Sequence, residues 1–158
     1  MKIKTGIGQD SHRFENEKGK PLMLAGIKFD YPFGLEGNSD ADVVFHSITN
    51  SISSVTGKNI LGEVADQLVN DGQTDSSEYL KLALSDLDGW KINHIAIAIE
   101  CLKPKLSNHL EAMKQTISNI CKINTSDIGI TATTGENLTA FGKGKGIQAI
   151  TIITVSKL

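Results

Sequence analysis

The run His94-Ile95-Ala96-Ile97-Ala98-Ile99-Glu100-Cys101 decides the reading of the fold. Isoleucine recurs at every second position, and β-branched residues at period two predict a strand. Downstream, Leu106 to Cys121 carries Leu110, Met113, Ile117 and Ile120 on one stripe, which predicts an amphipathic helix. Ile128 to Thr134 (IGITATT) then reads as a strand running into Gly135, and Gly146 to Val155 (GIQAITIITV) as a last, largely apolar strand. Upstream, Gly72 to Asp75 is a polar turn. Ser76 or Ser77 opens a helix through Tyr79, Leu80, Leu82, Ala83 and Leu87.

The N-terminal half follows the same grammar. Met1 to Ile7 alternates lysines with apolar residues until Gly6-Ile7-Gly8, a first strand, and Leu22 to Phe29 (LMLAGIKF) reads as further strand before a turn at Asp30 and Pro32. Gly34 to Asn38 is loop. Ser39-Asp40-Ala41-Asp42 marks a helix start: Ser39 or Asp40 is the expected cap, and Asp42 suits the positive end of the dipole. Ala41, Val44, Phe45, Ile48, Ile52 and Val55 keep helical spacing, ending before Gly57. Strands separated by helices in this order imply an α+β, two-layer arrangement, a sheet with helices on one face. The 158 residues suffice for one domain spanning 1–158.

Bulk composition narrows the partners. Formal charge is −2 and the pI is near 6.1, so nothing global points to nucleic acid or an acidic membrane surface. No apolar run is long enough for a signal-peptide core or a membrane span. Cys101 and Cys121 lack CxxC spacing, and reduced thiols in a cytoplasmic protein are the expectation.

Two constellations carry chemistry. Asp10 and His12 are two apart where the first strand ends, so both side chains point the same way. His46 lies on the following helix, one turn after Asp42. Two imidazoles and a carboxylate form a set that leaves a zinc position open, although a helix histidine also serves as an ordinary surface or core residue. His94 and His109 have no partners at useful spacing. The second constellation is Lys103-Pro104-Lys105, just before a helix whose free amides suit phosphate, with Ala132-Thr133-Thr134-Gly135-Glu136 at the end of the next strand. Threonine hydroxyls there suit phosphate oxygens, and Glu136 suits a magnesium ion held against a diphosphate. An ordinary strand exit would use the same residues. Gly142-Lys143-Gly144-Lys145-Gly146 lacks P-loop spacing and reads as a flexible loop or an anion contact.

Taken in order, Gly8-Gln9-Asp10-Ser11-His12-Arg13-Phe14, the run from Leu35-Glu36-Gly37-Asn38-Ser39-Asp40 to Phe45-His46, and Thr131-Ala132-Thr133-Thr134-Gly135-Glu136 resemble the 2-C-methyl-D-erythritol 2,4-cyclodiphosphate synthase family over nearly the whole chain. The resemblance implies an α+β sandwich with a mixed sheet, assembled as a homotrimer with active sites between subunits. It implies a cytidine diphosphate substrate that releases CMP. Asp10, His12 and His46 would hold one zinc per subunit, and Glu136 a second divalent ion, magnesium or manganese. Lys105 and Thr134 would stabilise charge on the diphosphate. Cys101, Pro104, Ala132 and Thr133 would line the cytidine pocket, Ser39 would touch substrate, and Cys101 would pack rather than attack.

The chain departs from the family's pattern at several places. Asn38 stands where a histidine commonly touches phosphate; it keeps a hydrogen-bond donor and loses the charge. Glu63, in Leu61-Gly62-Glu63, stands where an aspartate usually binds the sugar hydroxyls. Leu68-Val69-Asn70-Asp71-Gly72 occupies the place of an F-P-D-T-D segment, and the loop that follows reads as shorter. Lys143 replaces a common arginine and Lys145 a common acid in the loop lining the central channel. Two other readings remain: a divergent metal-dependent phosphotransferase or hydrolase on another CDP-alcohol, and a non-catalytic trimer that binds nucleotide.

Overall fold

A computed structural model describes residues 1–158. Its strands are β1 (Lys2–Arg13), β2 (Leu22–Leu24), β3 (Ile27–Phe29), β4 (Lys91–Glu100), β5 (Ile128–Thr133) and β6 (Gly146–Lys157). Its helices are α1 (Val43–Thr56), α2 (Glu63–Asn70), α3 (Ser76–Ser85) and α4 (Leu110–Cys121). The main sheet runs β1-β6-β4-β5, with β4 and β5 parallel and the other neighbours antiparallel. It is therefore mixed, as expected. That pairing gathers the C-terminal ends of β1, β4 and β5 and the start of β6 at one end of the sheet.

One face of the sheet is buried. Ile95, Ile97 and Ile99 of β4 and Ala149, Thr151, Ile153 and Val155 of β6 point toward the helices, and all are nearly or wholly inaccessible. The other face leaves Ile3, Ile7, Ile150 and Ile152 exposed, and Ile7 pairs directly with Ile152. Gly6, Gly8, Asp10 and His12 share the helix-facing side of β1, as period two requires. β1 ends at Arg13, just past Asp10 and His12 as expected, and Gly6 and Gly8 mark where α1 lies against it.

Three further expectations change. The cap of α1 is Asp42, not Ser39 or Asp40: its carboxylate accepts from the Val44 and Phe45 N–H groups, each at 3.1 Å. Ser39 and Asp40 instead accept from the amides two residues on, Ala41 and Asp42. Ala41 adopts a positive φ of 55°, and the helix starts two to three residues later than expected. Leu22 to Phe29 divides at Ala25-Gly26, both in left-handed backbone, into the hairpin β2–β3. Finally, residues 63–70, for which no element was expected, form α2, with Glu63 and Asp66 in the first turn near the positive end of the dipole. No helix is long and apolar enough to cross a membrane.

Candidate functional site

Asp10 on β1 and His46 on α1 meet because the helix lies unusually close to the strand. The Asp10 Oδ2 atom is 2.9 Å from His46 Nδ1 and 3.1 Å from His12 Nε2. One ligand atom from each of the three residues lies within 4.8 Å of the others. The imidazole rings are tilted, with centroids 5.6 Å apart.

The outer nitrogens are also engaged. His12 Nδ1 lies 2.6 Å from the Glu36 carbonyl oxygen, and a carbonyl only accepts, so Nδ1 carries a proton and donates to it while Nε2 is turned toward Asp10. His46 Nε2 lies 2.8 Å from the Ser76 hydroxyl. Three potential ligand atoms thus converge on one region. Two histidine nitrogens, each ring held from behind, and one carboxylate oxygen fit a divalent metal. Burial alone would push Asp10 up; hydrogen bonds to His12 and His46 outweigh it and hold Asp10 below the usual carboxylate value. The Asp10 hydrogen bond in turn raises His12, against the opposing effect of burial.

The triad opens into a cavity of about 340 Å³, lined also by Asn38, Ser39, Leu61, Ala65, Asp66 and Tyr79. Asn38 is exposed at its rim and Ser39 half-buried. Glu63 is exposed on the first turn of α2 and is not among the lining residues; Asp66, one turn on, is.

The second constellation forms at the opposite edge of the same sheet end. The Cys101 N–H donates to the Thr133 carbonyl at 2.9 Å and joins the ends of β4 and β5. The Cys101 thiol is buried, donates to the Lys103 carbonyl at 3.1 Å, and is pushed up to about 12 by burial. Pro104 follows a cis peptide bond, Lys105 is exposed, and Ala132, Thr133, Thr134 and Glu136 all face solvent. Lys143 is exposed in the loop before β6. With β6 and β4 between β1 and β5, the two constellations are about 14 Å apart at ordinary strand spacing. His94 and His109 join neither group, and His109 stacks on Phe29 with centroids 4.3 Å apart.

The YgbB family profile matches residues 3–156. The chain belongs to the YgbB family. A curated relative, the 2-C-methyl-D-erythritol 2,4-cyclodiphosphate synthase of Chlamydia caviae, is 49% identical over 157 residues, covering 98% of this chain and 89% of that protein. Among solved structures, the Plasmodium falciparum IspF in a CDP complex matches with a TM-score of 0.85 at 26% identity, covering 98% of this chain and 96% of that one. The bifunctional IspDF of Campylobacter jejuni matches at a TM-score of 0.88 and 30% identity, and this chain spans 43% of its length.

Within this YgbB-family chain, several residues around the site escaped the sequence reading. Ser76 was legible only as a helix opener, and Asp40 only as a cap. Tyr79 read as core, and it is buried, with its hydroxyl donating to the Gln73 carbonyl at 2.7 Å. Asp66 gave no signal, because the helix that presents it was not expected.

Proposed function

We propose that this chain converts 4-diphosphocytidyl-2-C-methyl-D-erythritol 2-phosphate into 2-C-methyl-D-erythritol 2,4-cyclodiphosphate and CMP. An oxygen of the 2-phosphate forms a bond to the β-phosphorus. The bond from that phosphorus to the oxygen bridging to the α-phosphate breaks, and CMP leaves with the oxygen and its electron pair. The observation that carries this reading is the convergence of Asp10, His12 and His46 within 4.8 Å at the mouth of a cavity. In a family whose relatives bear the synthase name, that convergence supports phosphoryl chemistry.

Asp10, His12 and His46 would hold zinc, one per subunit, which when bound neutralises charge on phosphoryl oxygens. Glu136, a lone exposed carboxylate, suits a second ion, magnesium or manganese, that takes most of its ligands from diphosphate and water. The chain's own groups position the substrate. Lys105 and Thr134 meet the diphosphate, Asn38 and Ser39 donate to the attacking phosphate, and Cys101, Pro104, Ala132 and Thr133 enclose the cytidine. Glu63 and Lys143 are assigned to the outer reaches of the substrate site. No protein nucleophile is required, and the buried neutral thiol of Cys101 suits packing.

We place these sites between subunits of a homotrimer. Support comes from the separation of the two constellations to opposite sheet edges, which a neighbouring copy would bridge, and from the exposed isoleucines of the outer face, which such packing would cover. The unpaired, buried Cys101 and Cys121 suit the reducing cytoplasm.

A second reading has its own support: α2 places Ala65, Asp66 and Val69 on the cavity wall, where the non-nucleotide half of a substrate would lie. Another CDP-alcohol is the alternative there. CMP release measured with the erythritol substrate and with other CDP-alcohols decides between them. His46→Ala, or chelation of metal, should lower turnover by at least about 100-fold; unchanged turnover removes the metal triad from the mechanism.

A further inference from the structure

Behind His46 runs a buried chain of hydrogen bonds that the sequence reading did not anticipate. Ser76, the first residue of α3, is wholly buried, and its hydroxyl lies between His46 Nε2 and the Asp40 carboxylate. We infer that Ser76 and Asp40 are positioning residues that fix the tautomer of His46 so that its Nδ1 faces the triad as a metal ligand. The inference rests on reading Asp10, His12 and His46 as a metal site.

The argument is a count of protons. The Asp40 carboxylate only accepts, and three donors reach it: Oδ1 receives the Asp42 N–H at 3.1 Å and the Ser76 hydroxyl, and Oδ2 receives the Ser76 N–H at 3.2 Å. Ser76 has a single hydroxyl proton, and Asp40 takes it. What Ser76 then presents to His46 is a lone pair. The hydrogen bond at 2.8 Å therefore needs its proton from Nε2. A neutral imidazole carries one N–H, so Nδ1 is left bare, 2.9 Å from Asp10 Oδ2.

The opposite arrangement has a different outcome. Were the Ser76 hydroxyl to donate to His46, Nδ1 would carry the proton and donate to Asp10 in an ordinary hydrogen bond. The site would then be a plain buried histidine. That arrangement sets the wholly buried Ser76 oxygen against the Asp40 carboxylate with no proton between them, and an unsatisfied buried acceptor costs about 1–3 kcal/mol. The direction of the chain is what separates a metal ligand from a structural histidine. His12 reaches the same condition by a backbone acceptor, the Glu36 carbonyl, and offers the other ring nitrogen. Asp40 is itself tied down, because its N–H donates to the Thr74 carbonyl at 2.9 Å.

Two measurements test this on the full-length protein. Ring-nitrogen NMR correlation spectra of the zinc-loaded wild type should show the proton of His46 on Nε2 and that of His12 on Nδ1. A His46 proton on Nδ1 overturns the inference without any variant. Competition with a chelator should show that Ser76→Ala weakens zinc binding by about 10- to 100-fold, and zinc binding equal to that of the wild type overturns it as well. The functional reading fails differently: a wild-type protein that binds no zinc or releases no CMP would sink that reading. A wild type that does both, beside an unaffected Ser76→Ala, would sink the Ser76–Asp40 assignment alone.

Discussion

The carbonyl oxygen of Ser47 lies 2.1 Å from the point where a β-carbon on Gly8 would stand. Ser51 stands in the same relation to Gly6, also at 2.1 Å, so α1 rests on β1 with backbone against backbone. His46 precedes Ser47 by one residue, and Asp10 follows Gly8 by two on the same strand face. The missing side chains of two glycines thus allow the 2.9 Å approach of His46 to Asp10.

Gly8→Ala is expected to push α1 off the sheet, because the obstacle is backbone and cannot rotate away. Overpacking of this kind costs about 1–3 kcal/mol or more. The melting temperature should fall, and zinc affinity should fall with it as the triad opens. A variant that melts and binds zinc like the wild type would show that the close packing does not set the site.

Asp42 ties the β2–β3 turn to the start of α1, accepting from Ala25 at 2.9 Å and Gly26 at 2.7 Å as well as from Val44 and Phe45. It is wholly buried. Asp42→Ala leaves these amides without an acceptor and should cost about 2–4 kcal/mol, read from urea unfolding. Burial also pushes the carboxyl from 3.8 up to about 6, against the hydrogen bond from Gly26. The folded value exceeds the unfolded one, so this group's contribution is whole below 3.8 and is lost as pH rises through about 6. The stability of the wild type relative to Asp42→Asn should therefore decline between about pH 4 and pH 7. A flat difference would mean that the carboxyl is not shifted upward.

Much of this was open to reading in the chain itself. Isoleucines at 95, 97 and 99 announce β4 because one sheet face is covered and β-branched residues fill it. Asp10 and His12 share a face because strand period is two, and His46 joined them as a histidine on the following helix, a set that the resemblance then reinforced. The cap of α1 was misplaced because a positive φ at Ala41 shifts the helix start, and alanine gives no sign of it. Val64, Ala65, Leu68 and Val69 recur at helical spacing in α2, so that helix was legible in the chain, although only Ala65 is fully buried. Ser76 and Asp40 were invisible as a pair, since 36 residues separate them and only tertiary packing brings them together.

Cys101 and Cys121 are both pushed up to about 12 by burial, from an ordinary value of 9.0. Each contributes stability in full below 9.0, and that contribution falls as pH rises toward 12. Because the thiolate is the reactive form, neither residue should be alkylated by iodoacetamide in the native protein near neutral pH, while both react on unfolding. Mass spectrometry of the modified chain checks this. Rapid modification of Cys101 alone would reveal that the turn through Lys103 and Pro104 opens in solution.

The proposed division of the site between subunits makes the most demanding prediction. In that reading His46→Ala removes a metal ligand at one sheet edge, and Lys105→Ala removes a diphosphate contact at the other. Each protein alone should be nearly inactive. If one subunit supplies the metal half of a site and its neighbour the nucleotide half, a mixed trimer contains sites built from the intact His46 of one variant and the intact Lys105 of the other. Unfolding and refolding the two together at equal amounts should restore roughly a quarter of wild-type CMP release, the fraction expected from random placement around a closed ring. Simple mixing without subunit exchange should restore none. Were each site built within a single chain, co-refolding would leave activity at the level of the separate variants, however well the trimer formed.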